Sequence, residues 1–132
     1  MKFILACVVV TLLMGCETTQ SNQTELIQRP FSEVDVNQSI VLNIGKTFEI
    51  ALPENPTTGY AWSMEVSNPS IVKEISHSYT AHKSGRLGAA GDGLWTFRTL
   101  SIGAVDITAS YERPWDDNDK PTKVITFTLQ VQ

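Results

Sequence analysis

This 132-residue chain has two cysteines, Cys7 and Cys16, and both lie within the first sixteen positions. The remaining residues therefore form no disulfide framework, no cysteine-based zinc site and no cysteine nucleophile. The folded part must be stabilised by packing, and a composition with 42% hydrophobic residues is sufficient for a core. The length corresponds to a single domain.

Basic clusters are also lacking. The formal net charge is −4 and no run of lysine and arginine occurs. Binding to nucleic acid depends on a basic stripe that displaces counterions from the phosphate backbone. We therefore expect no nucleic-acid partner.

Groups suited to catalysis or metal binding are few. His77 and His82 are the two histidines, and five positions apart on one strand they would face opposite sides. Asp116, Asp117 and Asp119 have the side chains of calcium ligands, but the glycine and the final glutamate of an EF-hand loop are missing. The sequence therefore predicts a protein that is not an enzyme and that holds no cofactor and no metal.

The first sixteen residues have the pattern of an export signal. Lys2 precedes an apolar run over residues 3–14, which is too short to cross a bilayer comfortably. The run ends in Leu-Met-Gly-Cys, which resembles the lipobox of bacterial lipoproteins, whose cysteine thiol receives a diacylglycerol. We predict that residues 1–16 are a signal peptide with lipidation at Cys16. The alternative is an ordinary secretory signal.

Residues 17–30 have the polar composition of a flexible tether, and residues 31–132 would form the domain. Glu17 follows the predicted lipidated residue, where an aspartate usually retains a lipoprotein in the inner membrane. We therefore expect an exported protein that is lipid-anchored to the bacterial membrane. In a Gram-negative cell this would be the outer membrane, on its periplasmic or outer surface.

Apolar residues alternate along most of the chain from about residue 39. Side chains on a strand point alternately to opposite faces, so each row marks the buried face of a strand. Shorter strands are expected near 72–79 and 94–100. The pattern predicts an all-β, immunoglobulin-like antiparallel β-sandwich of about seven to eight strands, although a small closed barrel would use the same pattern. The rows are Ile40-Leu42-Ile44, Phe48-Ile50-Leu52, Tyr60-Trp62-Met64-Val66, Val105-Ile107-Ala109-Tyr111 and Ile125-Phe127-Leu129-Val131.

The first unusual loop is Asn-Pro-Thr-Thr-Gly at residues 55–59. Pro56 has a fixed φ and restricts Asn55 to an extended conformation, while Gly59 can adopt a positive φ without steric cost. Thr57 and Thr58 lie between them. The loop is expected to be a stiff, uncharged wedge with two hydroxyl groups, although five such residues can also form an ordinary tight turn.

The second unusual loop, Ser84–Gly93, contains four glycines. It would expose backbone amides and carbonyls with few side chains in the way. The glycine spacing does not match a P-loop, and no Lys-Ser or Lys-Thr pair follows it to contact a phosphate or a metal. We therefore expect this loop to approach a protein partner closely through its backbone.

The third unusual loop begins with Arg113, Pro114 and Trp115 and continues through charged residues to Pro121. A tryptophan among such neighbours is expected to be exposed, and exposed tryptophan and arginine dominate binding hot spots. The alternative is a ring that folds back over the end of the sandwich.

In their order and spacing these three loops resemble those of the chagasin-type inhibitors of cysteine peptidases, over about residues 48–132. The resemblance implies an immunoglobulin-like sandwich with the three loops side by side at one end. It also implies reversible, competitive inhibition of papain-like cysteine proteases, because the loops would occlude the active-site cleft. We expect a monomer. One departure is Gly-Ala-Ala-Gly at residues 88–91, where the family usually has Gly-x-Gly-Gly.

The resemblance also assigns roles to individual residues. Thr57 would face the catalytic cysteine and histidine of the protease, Trp115 would pack on one of its aromatic residues, and Arg113 would make polar contacts. The alternative function is a non-enzymatic surface-binding or adhesion lipoprotein whose Trp115 stacks on a carbohydrate. The predicted protease-binding residues are Asn55, Pro56, Thr57, Thr58, Gly59, Tyr60, Gly88, Ala89, Ala90, Gly91, Arg113, Pro114 and Trp115.

Overall fold

The computed structural model describes residues 29–82 and 90–132. Two short 3-10 helices, Glu33–Asp35 and Pro56–Thr58, interrupt an otherwise β-stranded chain. None of the helices in these ranges is long and apolar enough to cross a membrane. The strands are β1 (Ser39–Leu42), β2 (Thr47–Glu54), β3 (Ala61–Val66), β4 (Val72–Ala81), β5 (Gly91–Thr99), β6 (Gly103–Glu112) and β7 (Lys123–Val131).

The strands form two separate sheets. One has the order β1-β7-β6-β3 and the other the order β2-β5-β4. Two sheets that do not join into one cylinder form a sandwich, so the closed barrel is excluded. The pairs are antiparallel apart from β1 with β7, which is parallel. The predicted all-β sandwich is confirmed, with seven strands in the described ranges.

The core lies between the two sheets and follows the predicted alternation. The rows on β2, β6 and β7 contribute residues that are almost completely buried, such as Ile50, Ile107 and Phe127. Burying one such side chain contributes about 1.5–3 kcal/mol. Trp62 is also buried, and its indole Nε1 donates a hydrogen bond to the Pro53 carbonyl over 2.8 Å. The sequence pattern therefore identified the buried rows of β2, β6 and β7 correctly.

Two predicted boundaries are wrong. Ile44 does not extend β1, because the chain turns at Gly45 with a φ of +76°, and the Ile44 side chain is exposed. The second unusual loop is shorter than predicted, because β5 already begins at Gly91. A side chain at Gly93 would collide with Trp95 and Glu54, so this glycine is needed for packing within the sheet.

The strand directions bring three connections to one end of the sandwich. Strands β2, β4 and β6 run towards this end, and β3, β5 and β7 start from it. We call it the loop end. It carries residues 55–60, 82–90 and 113–122, of which 83–89 lie outside the described residues. The three connections 43–46, 67–71 and 100–102 lie at the opposite end.

The chain enters the described domain from the side opposite the loop end. Phe31 forms an isolated parallel bridge with Ile50, so the residues before it extend towards the start of β2. The Arg29 guanidinium donates two hydrogen bonds, of 2.9 and 2.8 Å, to the buried carboxylate of Asp35. The packed structure therefore includes Arg29. The predicted signal peptide and residues 17–28 lie outside the described residues.

We predict that Asp35→Asn lowers the Tm at neutral pH by a few degrees. The hydrogen bonds from Arg29 lower the pKa of Asp35, and the Ser32 amide adds a further bond of 2.9 Å. A carboxylate with a lowered pKa stabilises the fold above its ordinary pKa of about 3.9, and this contribution is lost as the pH falls through the folded pKa. Thermal unfolding at neutral pH and at strongly acidic pH measures the effect.

The variant Asp117→Asn is the matched control, because the Asp117 side chain is exposed. Its Tm should equal that of the wild type at each pH. The Tm difference between the wild type and Asp35→Asn should shrink as the pH falls. A difference that is independent of pH would contradict the assignment.

Candidate functional site

Asn55 organises the first loop through both its side chain and its carbonyl. Its Oδ1 accepts hydrogen bonds from the Thr57 amide at 3.2 Å and the Thr57 hydroxyl at 2.6 Å. Its carbonyl accepts bonds from the Thr58 amide at 3.2 Å and the Thr58 hydroxyl at 2.7 Å. Pro56 starts the short 3-10 helix, and Gly59 ends it with a φ of +78°. The loop is therefore internally braced, as its composition predicted.

This bracing determines what the two hydroxyl groups can offer to a partner. A threonine hydroxyl has one hydrogen to donate and two lone pairs that accept. Both hydrogens are used on Asn55, and the Thr58 oxygen also accepts a bond of 3.3 Å from the Tyr60 amide. The exposed Thr57 oxygen is therefore presented as a hydrogen-bond acceptor.

Trp115 lies against the first loop although 55 positions separate it from Tyr60 in the sequence. A Cβ atom at Gly59 would lie 3.4 Å from the Trp115 Nε1 atom, so the indole is in contact with this glycine. The indole remains 68% exposed. The ring therefore does not fold back to cover the end of the core, and Thr57 and Trp115 belong to one surface.

A row of stacked side chains connects this surface with the core. Tyr111 stacks against the buried Trp62 at 4.9 Å and against Tyr60 at 5.4 Å between ring centres. The Arg113 guanidinium lies 4.6 Å from the centre of the Tyr60 ring and 5.6 Å from that of Trp115. Cation–π contacts of this kind contribute about 0.5–1 kcal/mol at exposed sites. Arg113 thus contacts both the first and the third loop.

The described part of the second loop reaches the same end. Gly91 pairs with Glu54, the residue before Asn55, and the Ala90 carbonyl accepts a bond of 3.1 Å from the His82 amide. No non-glycine residue among those described has a positive φ, so an alanine at position 90 is not strained. The predicted contact residues Gly88 and Ala89 lie outside the described residues.

Two other carboxylates near the loop end make local contacts. His82 Nε2 lies 2.8 Å from an Asp92 carboxylate oxygen, and the Asp116 side chain accepts a bond of 3.1 Å from the Asn118 amide within its turn. In the ranges 29–82 and 90–132 no three histidine, cysteine, aspartate or glutamate side chains are grouped as a metal would require.

Sequence reasoning missed Glu54. Its side chain is only 6% exposed and lies on the core-facing side of β2, at the last residue of the strand. The signal was available, because alternation continues from Phe48, Ile50 and Leu52 to position 54. An acidic residue on a buried face is unusual and marks a site that needs an explanation.

A small β-sandwich whose three connections at one end include an internally braced first loop is the architecture expected of an inhibitor of the predicted class. Residues 41–131 match the family described as chagasin family peptidase inhibitor I42. The match spans more than half of the chain, and the chain therefore belongs to this family of cysteine protease inhibitors. Because the family consists of inhibitors, the chain is not an enzyme.

Individual relatives agree with this assignment. Chagasin from Trypanosoma cruzi is 31% identical over 96 residues, which cover 70% of this chain and 87% of chagasin. Amoebiasin-1 from Entamoeba histolytica is 31% identical over 100 residues, which cover 76% of this chain and 94% of the relative. The crystal structure of a cysteine protease inhibitor from Entamoeba histolytica has the same fold, with a TM-score of 0.71 and 24% identity. It matches over 79% of this chain and 95% of that chain.

We predict that Gly59→Gln and Gly45→Gln destabilise the protein to a similar extent. Both glycines have a positive φ, near +77°, and a side chain in this conformation costs about 1–2 kcal/mol. Only Gly59→Gln should displace Trp115, because nothing lies within 4 Å of a Cβ atom at Gly45. Thermal unfolding measures the first effect, and iodide quenching of tryptophan fluorescence measures the second.

Trp62 and Trp95 are buried, so the quenching reports mainly on Trp115. Quenching should change in Gly59→Gln and remain as in the wild type in Gly45→Gln. If the two variants give the same quenching, the indole does not depend on Gly59 for its position.

Proposed function

We propose that this protein is a reversible, competitive inhibitor of papain-like cysteine proteases whose loop end fills the active-site cleft. Family membership supports the class of target. The observation that carries the proposal is the contact between Trp115 and Gly59, because it joins the braced first loop and the exposed indole into one surface. No comparable observation favours the alternative, a carbohydrate-binding adhesion domain.

The physical basis of inhibition in this proposal is steric occlusion by a pre-ordered surface. Docking of flexible loops costs conformational entropy, whereas loops already held by internal bonds lose little. The hydrogen bonds centred on Asn55 and the stacking of Arg113 supply this order before binding. The first and third loops contain no thiol, so the inhibition we propose involves no covalent step.

The residues of this surface would have distinct tasks. Thr57 would be the tip of the wedge, with its acceptor oxygen towards the catalytic cysteine and histidine. Trp115 would be the apolar anchor at one side of the cleft. Arg113 was predicted to make polar contacts with the protease. Its stacking on Tyr60 and Trp115 supports a second task, which is to hold the anchor in position. Ala90 and Gly91 would bring the second loop alongside.

We predict that Trp115→Ala weakens inhibition of papain about 30-fold. This corresponds to about 2 kcal/mol, the usual loss at a binding hot spot. The control is Ile102→Ala, since Ile102 is equally exposed, at 68%, and lies at the opposite end of the sandwich. The inhibition constant of the full chain in mild detergent is measured against a fluorogenic peptide substrate.

The control variant should inhibit as strongly as the wild type, and raising the substrate concentration should relieve inhibition in both. The proposal fails if the wild type inhibits neither papain nor a cathepsin. It also fails if Trp115→Ala and Ile102→Ala lose equal affinity.

We also propose that the protein is exported as a monomer and anchored to the bacterial membrane by a lipid on Cys16. The direction of chain entry supports this arrangement, since Arg29 approaches from the side opposite the loop end. The twelve residues 17–28 could span about 40 Å when extended. A membrane anchor at Cys16 would therefore leave the loop end facing away from the lipid surface and accessible to a protease.

We predict that Cys16→Ser moves the protein from the membrane fraction to the soluble exported fraction. Without the thiol no acyl chain is attached, and a stable anchor requires more than one buried chain. Cell fractionation with immunoblotting measures the distribution. The control is Cys7→Ser, which lies in the apolar run and should leave the protein at the membrane. Membrane retention of Cys16→Ser would contradict the anchor.

A further inference from the structure

A groove of about 340 Å³ opens between the two sheets at the loop end. Pro53, Trp62 and Tyr111 provide apolar lining, and Glu54 supplies a carboxylate. The volume is near the lower limit of ligand sites, about 300 Å³. The groove is thus suited to a single side chain rather than to a whole peptide. Asn55 and Ala90, which also belong to the proposed protease-binding surface, line it as well.

The Glu54 side chain is nearly buried and lines the groove. Its side chain is 6% exposed, and in the described ranges the fully enclosed side-chain atoms without a hydrogen-bond partner are Arg113 Nε and Asp119 Oδ2, not the Glu54 oxygens. The nearest basic side chain in the same ranges is His77, with Nε2 at 3.8 Å from Oε2. That distance is beyond a hydrogen bond, and the His77 ring is stacked on Trp95 with centres 4.4 Å apart. A buried carboxylate of this kind is costly unless a donor reaches it.

The other two charges of the groove already neutralise each other. The Lys123 ammonium lies 2.6 Å from a Glu33 carboxylate oxygen. Because Glu33 and Glu54 outnumber Lys123 in the lining, the groove carries a net negative charge, to which Glu54 contributes. Gly93 leaves room for this carboxylate, because a Cβ at position 93 would lie 2.8 Å from Glu54 Oε2.

We propose that the groove receives a lysine or arginine side chain of the target protease, an inference that rests on the proposed function. The aliphatic part of such a side chain would lie along the Trp62 and Tyr111 rings, and its charged group would donate to Glu54. An apolar occupant would leave the carboxylate without a donor, and an anionic one would be repelled. A lysine or arginine side chain fits the groove in both respects, because its aliphatic part can pack against the apolar lining and its charged group can pair with Glu54.

The position of the groove identifies the protease as the source of this cation. Asn55 and Ala90 belong to the groove and to the first and second loops, so a protease surface that covers these loops also covers the groove opening. A basic side chain of the protease that lies beside its active-site cleft would then enter the groove as the loops dock. Proteases with such a residue would be inhibited more strongly than those without one.

The chemistry of the groove can be tested without a protease. The full chain, labelled with ¹⁵N and solubilised in mild detergent, is titrated with n-butylguanidinium and, separately, with n-butanol. The Trp62 indole N–H signal should shift with the cation and remain with the alcohol. In Glu54→Gln the shift should be lost, whereas Glu49→Gln on the outer face of β2 should respond as the wild type does.

Inhibition assays with the same variants connect the groove to the target. Inhibition constants are measured for both variants against papain and a panel of cathepsins. For an enzyme that places a cation in the groove, Glu54→Gln should bind at least about tenfold more weakly than Glu49→Gln. The spectra from the titration show whether each variant is folded.

The outcomes separate this inference from the proposed function. The groove proposal is overturned if the Trp62 signal does not shift with the cation and Glu54→Gln inhibits every enzyme as well as the wild type does. In that case the proposed function still stands, provided that the wild type inhibits a protease. If the cation binds in the groove but no cysteine protease is inhibited, the proposed function fails and the protease is not the source of the cation.

Discussion

The contact between Gly59 and the Trp115 indole is the constraint on which the proposed binding surface depends. It forms at a glycine in a left-handed conformation, which side chains rarely adopt, at the end of a short 3-10 helix. The helix in turn depends on the Asn55 side chain and carbonyl, which take up both threonine hydroxyl hydrogens. Two loops that are far apart in the sequence are thereby ordered as one unit.

The sandwich contributes the direction in which these loops point. Each loop connects a strand that arrives at the loop end with one that leaves it, so the three connections must share that end. The stack from Trp62 through Tyr111 and Tyr60 to Arg113 then extends the core outwards. Order in the first and third loops is therefore supplied by folding, and binding need not supply it again.

The sequence predicted the fold well because the fold depends on alternation. Each buried row could be identified from its own residues, and the loops could be located from the turn formers between rows. The parallel pairing of β1 with β7 could not be predicted, since alternation defines faces and does not define neighbours. Ile44 was misplaced for a related reason. The turn at Gly45 overrides a pattern that would otherwise continue the strand.

The site was predicted in part, and the missing part is informative. The proline, glycine and tryptophan residues identified the first and third loops in the sequence. The contact between these two loops depends on the tertiary structure, and sequence spacing does not predict it. Arg113 was expected to contact a partner, whereas the structure places its guanidinium over Tyr60 and Trp115. A cation that is stacked between loops has a structural task even if it also contacts a partner.

Glu54 shows how a departure from the fold's own rule can indicate function. Position 54 continues a buried apolar row, and a valine or leucine there would satisfy the alternation and contribute to the core. A carboxylate adds less apolar surface to the core, and a side chain at Gly93 would collide with it and with the Trp95 ring. Proteins tend to break local rules at functional sites and to compensate for the loss elsewhere. The core of this sandwich is well packed up to Leu52, and the departure begins one step further along, where the proposed protease surface begins.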